Sequence, residues 1–343
     1  GQALAGPLTS RWMGRWGMRT VINTTLVISL ISMAAIAYFA MPLWWYIGFG
    51  LLCGLATPPI QPAVRTIYPK LVNSRQLTPL FSLDASAQEI IWIAGPVLTA
   101  FLAIQISPPV AITVAGAFLI VGGLWFVTAP ELGTVRIPPS KKRLGTVLRH
   151  RSVMLATITG FLLIGAAGAL EVSVVSVFGE EGPQAGIILS LWAIASLIGG
   201  LSLGGMAIGP WALAGRMSVV ALGLFLALGS TDFWWLVATL AIAGLGIAPA
   251  LTVMFAIVSA TVKFSDTAEA YGWVGSGQLI GAALGSAVAG FAVDAFGSFG
   301  GFVTGFAIAF LGALVATVLR GFQPDLRGKD PSPPPETEPI TLG

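Results

Sequence analysis

The stretch LTPLFSLDASAQEIIWIAGPVLTAFLAIQ, residues 77–105, decides the fold. As a helix it is long enough to cross a bilayer, which takes about 20 apolar residues. Yet Asp84, Gln88 and Glu89 lie inside the apolar run. An ionisable group at membrane depth costs on the order of 3 kcal/mol or more, so such groups face a protein interior or a wet cavity. The stretch also has a relative further along. Ser86, Gln88 and Gly95 reappear as Ser276, Gln278 and Gly285, at an offset of 190.

Composition agrees with a membrane protein. Hydrophobic residues make up 56% of the chain and charged residues only 9%, where soluble domains carry about a quarter charged. The expected class is therefore all-α integral membrane. A net charge of +3 is too small to argue for nucleic acid, and none is expected as a partner. The single cysteine, Cys53, excludes an internal disulfide and a cysteine metal cluster. The single histidine, His150, sits in a basic loop and reads as a solvated residue. No Walker signature, metal-ligand spacing or nucleophile–His–acid set occurs, so no enzyme, metal or cofactor is implied.

Ten apolar segments follow a short apolar start at residues 1–9. They lie near 20–40, 42–64, 77–105, 109–129, 153–178, 184–208, 211–229, 233–262, 268–295 and 299–320. Alternating sides after each segment places all 17 Lys and Arg on one side. The other side holds only acids, among them Glu180, Glu181, Asp232 and Asp294. By the positive-inside rule, the loops at 10–19, 65–76 and 130–152 are cytoplasmic, and a missed helix would destroy the asymmetry. The expected location is the cell (plasma) membrane, multi-pass. Trp44, Trp45, Trp234 and Trp235 then begin helices on the outer side, as an aromatic belt.

The offset of 190 recurs. Gly54, Pro59 and Gly122 fall on Gly244, Pro249 and Gly312. A parallel duplication of a six-helix unit follows, with a pseudo-two-fold axis along the membrane normal. Four regions are expected: an N-terminal bundle at 1–133, a basic linker at 134–152, a C-terminal bundle at 153–322 and a tail at 323–343. The linker either touches anionic lipid headgroups or simply enforces topology, and the Pro-rich tail should be disordered. The helix at 153–178 has no partner in the first half. The repeat therefore expects a parent of twelve helices, of which the first and about half of the second are absent, leaving ten complete and one partial.

Residues 6–19, GPLTSRWMGRWGMR, join the partial helix to the next. With Gly6, Arg11, Arg15, Gly17 and Arg19, this loop resembles the signature of the major facilitator superfamily, an Asp-Arg-x-Gly-x-Arg/Lys core after a Gly-rich helix end. Arg15, Gly17 and Arg19 match, whereas Gly14 stands at the Asp position. In that family the loop latches two halves through charge, and the missing Asp weakens that expectation. The basic residues otherwise only obey the sidedness rule. The weaker Gly-Pro core at Gly95-Pro96 is shared with proton-coupled exchangers and reads equally as a close-packed kink. GSGQLIGAALGSAVAG, residues 275–290, spaces small residues by four at Gly277, Gly281, Gly285 and Ala289, a close helix–helix face.

The resemblance implies two bundles rocking about a central site, a monomer, contact with membrane lipids, and a small-molecule substrate moved by an ion gradient, with protons and export the first expectation. Two readings stand for Glu89: a carboxyl loading a proton or a cationic substrate, or a structural hydrogen bond. Asp84 is placed to pair with Arg65 or Arg75 at the inner rim, and shares a helix face with Gln88 but not Glu89. Glu171 either contacts substrate or proton near an outer gate or reaches outer water. Gln61, Arg65, Gln88 and Gln278 supply polar contacts, with Gln88 and Gln278 expected to face each other across the axis. Trp92, Trp192 and Trp273 line a cavity or anchor packing. The alternatives are a lipid flippase or lipid-handling enzyme, and a truncated remnant that does not transport.

Overall fold

A computed structural model describes residues 1–140, 142–179 and 183–334. Expectations placed on Lys141, on Glu180 and Glu181, and on the tail beyond residue 334 lie outside these residues. The described residues form helices and connections without a strand: α1 Gln2–Trp16, α2 Met18–Tyr38, α3 Leu43–Leu55, α4 Ile60–Leu71, α5 Ser74–Gln105, α6 Pro108–Thr128, a short α7 Glu131–Thr134, α8 Arg151–Phe178, α9 Pro183–Leu203, α10 Ala212–Ala227, α11 Phe233–Thr261 and α12 Phe264–Val318. Among them, eight are long and apolar enough to cross a membrane, counting Leu43–Leu71 as one. The expected ten differ at two places. Gly297, at φ 69°, bends α12 into two runs, and α10 has only 16 residues.

Local chemistry sets the breaks. Gly17, at φ 86° and ψ 148°, separates α1 from α2, in an extended positive-φ region that is essentially glycine's alone. Thr57-Pro58-Pro59 separates α3 from α4. Each proline lacks an N–H, and each pushes its predecessor out of the helical region. Asp232 caps α11 by accepting from the Trp234 and Trp235 amides at 3.0 and 3.1 Å. The expected segment 42–64 is thus two helices, and α4 continues to Leu71. Arg65 accordingly lies inside a helix rather than in the loop 65–76.

The longest seam is α8 against α12. There the small-residue stripe behaves as expected. A Cβ on Gly281 or Gly285 would collide with the Phe161 or Gly165 carbonyl of α8, so these positions let the two backbones approach. Gly95, the repeat partner of Gly285, has open space over its Cα, so close packing does not explain it. Within the second half α9 and α10 both pack on α11; within the first, α2 packs on α3 and α6. Contacts between the halves run through α1 and α4 on α12, and α5 on α9 and α11. The outer part of α5 stays open, with Ile91 64% and Ile104 78% exposed. Such faces meet lipid in a bilayer.

Two expected irregular regions are packed. In the linker, Ile137 and Val147 are buried, and Ile137 joins a cluster with Met13, Ile67 and Phe264. In the tail, Gln323 is buried, accepts from the Leu213 amide at 3.3 Å and donates to the Gly209 carbonyl, while the Leu326 amide donates to Ile208 at 2.9 Å. The expectation of disorder therefore fails for residues 323–326, because their polar groups close the α9–α10 connection.

Candidate functional site

The α3–α4 break opens a cavity of about 270 Å³. Its walls come from α1 (Gln2, Gly6, Thr9), from the break and α4 (Thr57, Gln61, Arg65), and from α12 (Tyr271, Ser276, Leu279). Both halves of the chain therefore contribute. With liquid water at about 30 Å³ a molecule, it has room for roughly nine.

Arg65 dominates one wall. It is 2% exposed, its Nε donates to Asp84 Oδ2 at 2.7 Å, and Tyr68 donates to Asp84 Oδ1 at 3.3 Å. Its guanidinium lies over Phe255, 3.7 Å from the ring centroid. Tyr271, stacked edge-on to Phe255, donates to the Phe255 carbonyl at 2.9 Å. Of the two arginines expected near Asp84, Arg65 is the partner. The planar face of a guanidinium suits an aromatic ring. Two polar atoms of these wall residues lie buried just behind its surface with no partner among the described residues: Arg65 Nη2 and, from the other half, Ser276 Oγ.

The other expected site residues scatter. Gln61 donates to Gln88 at 3.4 Å, and Gln88 donates to the Asp84 carbonyl at 3.4 Å. Gln278 instead lies against Gly160 of α8, with its Nε2 buried and unpartnered. The expected Gln88–Gln278 facing pair is not formed, because the Gly-rich face of α12 turns that residue into its own half. Glu89 is 5% exposed at the α5–α9 contact, hydrogen-bonded to Ser196. Ser196 also accepts the Ala248 amide at 3.1 Å. Glu171 is exposed on α8, away from the cavity lining. Trp92 is 58% exposed, and Trp192 is buried.

A second cluster closes the basic end. Arg11 Nη1 donates to Glu269 Oε2 at 3.0 Å, and Arg11 Nη2 donates to the Lys142 carbonyl. Glu269 also accepts the Gly145 amide at 2.7 Å and the Trp273 indole at 3.4 Å. Lys142 Nζ donates to Asp266 at 2.6 Å. Asp266 and Glu269 are 3% and 4% exposed. So α1, the linker and the start of α12 meet in one charged knot. Residues 6–16 of this stretch lie in α1 rather than in a loop, and Arg11 carries its ion pair to the other half. Arg19 donates to the Ala129 carbonyl at 3.2 Å, and Arg15 lies over Trp16. Gly6 packs near Ser276, and Gly14 against Pro138.

Sequence reasoning missed Asp266 and Glu269. The available signal was two acids in the first turns of a helix, facing a basic loop, where the helix dipole favours them. It also missed Tyr271 and Ser276, which carry no local sign of lining a cavity.

A family description, Major Facilitator Superfamily, matches residues 1–214 and again 178–342. No curated protein matches. Among solved structures, the human organic anion transporter MFSD10 superposes with TM-score 0.72 at 17% identity, covering 92% of this chain and 80% of that one. A bacterial homologue of the iron transporter ferroportin, in an outward-facing state, gives 0.66 at 14%, with coverages of 93% and 87%. The E. coli fucose:proton symporter FucP gives 0.68 at 13%, with coverages of 94% and 88%.

Proposed function

The chain belongs to the major facilitator superfamily, and from that premise we propose that it is a secondary transporter moving a small solute through the cavity beside Arg65 by alternating access. It is a transporter rather than an enzyme. The observation that carries the mechanism is a cavity walled by both halves and closed by charge at one end. The inter-half contacts at Arg11–Glu269, Arg65–Phe255 and Ser82–Gly200 fall toward the basic end of the helices, and Glu89–Ser196 lies midway along α5. In this reading two six-helix bundles are parted at the other end, the basic end is cytoplasmic in the plasma membrane, and the knot opens as the outer end closes.

Export driven by protons is the direction and coupling proposed. Glu89 is the proton carrier in that scheme. It is buried at a contact that must separate, with a serine rather than a cation as its partner. Cysteine labelling tests alternating access. Thr57→Cys in a Cys53→Ser background should react with impermeant maleimide from either membrane face, with excess solute or a pH gradient shifting the balance. Labelling from one face only, under every condition, would refute the mechanism.

A further inference from the structure

The unpartnered atoms in the cavity wall narrow the class of solute, granted the transport reading above. We infer that the cavity takes a small anion whose carboxylate is gripped by Arg65 from one half and Ser276 from the other. Asp84 occupies the Nε edge of the guanidinium and leaves Nη2, a buried donor, without an acceptor. Ser276 Oγ is likewise buried, unpartnered and in the same lining. A guanidinium has five N–H donors and serves two carboxylates on different edges. A buried donor left unmade is costly, and a charged oxygen acceptor satisfies it best. No acidic side chain is among the described residues lining the cavity. The remaining wall, Gln61, Thr57 and Thr9, offers hydrogen bonds to a polar body. A solute bridging Arg65 and Ser276 also ties α4 to α12, which makes binding sensitive to the separation of the halves.

Equilibrium dialysis of the full chain in nanodiscs tests this with three probes of one size: radiolabelled benzoate, benzamide and benzylamine. Benzoate should bind, with benzamide at least about tenfold weaker and benzylamine absent. Ser276→Ala should weaken benzoate about tenfold while leaving the Arg65–Asp84 pair in place. The double variant Arg65→Gln with Asp84→Asn removes both charges together, avoids an uncompensated one, and should abolish benzoate binding with the helical signal retained. Benzamide binding as tightly as benzoate, no benzoate binding at millimolar concentration, or binding unchanged in both variants would each overturn the anion assignment. Two-sided labelling of Thr57→Cys with no benzoate binding leaves the transport reading standing and the anion assignment refuted; benzoate binding with one-sided labelling does the reverse.

Discussion

In the proposed transport cycle Glu269 holds the basic end shut, and its neutralisation should open that end. The carboxylate accepts two strong bonds, from Arg11 at 3.0 Å and from the Gly145 amide at 2.7 Å. Glu269→Gln keeps the shape but turns one of the two accepting oxygens into an NH2 group, so one of the two bonds is lost. A hydrogen bond to a charged group contributes about 1.5–3 kcal/mol, so the loss is about 2 kcal/mol. Arg11 is partly exposed, at 24%, which keeps the figure below the 3–5 kcal/mol or so of a fully buried broken pair. About 2 kcal/mol moves a two-state equilibrium roughly 30-fold. The assay is the rate of maleimide alkylation of Thr57→Cys from the basic side, which follows the open fraction when reaction is slow. The expected outcome is a rise of that order, matched by Arg11→Gln, with the double variant no faster than either single one, because the two residues share one interaction. Rates unchanged in both single variants, or singles that simply add, would refute the latch.

Equivalent glycines should respond oppositely. Gly285→Ala meets the Gly165 carbonyl and should cost about 1–3 kcal/mol in thermal or denaturant unfolding. Gly95→Ala meets nothing within 4 Å and should be neutral or stabilising by up to about 1 kcal/mol. His150 supplies a pH prediction. Burial, reinforced by the Lys142 charge, pushes its imidazole below the ordinary value of 6.5. The unfolded chain then binds the extra proton more readily, so this contribution to stability is present above about pH 6.5 and is lost as pH falls through the depressed folded value. As the sole histidine, its ring proton can be followed by NMR; Lys142→Gln should raise the midpoint, and a midpoint above 6.5 in the native chain would contradict the assignment.

The one-dimensional pattern carried a good deal. Hydropathy located the helices, because burying a backbone in lipid demands long apolar helical runs. The pairing of Asp84 with a nearby arginine was legible, since about three helical turns of α5 and the end of α4 leave few partners. The stripe at Gly277, Gly281 and Gly285 announced a close seam. The Pro58-Pro59 break was visible as letters but not as a helix end, because prolines are tolerated inside membrane helices when neighbours satisfy the freed groups. Gln278 misled, because sequence equivalence to Gln88 says nothing of which face each helix turns inward. The packed start of the tail also misled: its composition is polar and Pro-rich, and only the α9–α10 connection offers it partners.

By itself, then, the order of residues determined the class of protein, the helical runs and the spacing of the charges along them. These depend on interactions between a residue and its solvent, or between neighbours a few positions apart. Only the tertiary structure decided that Arg11 meets Glu269 across 258 positions, that Ser276 joins Arg65 in one cavity, and that Gln278 does not. Such pairings depend on the rotation and offset of whole helices, which many weak packing contacts set together and no short stretch encodes.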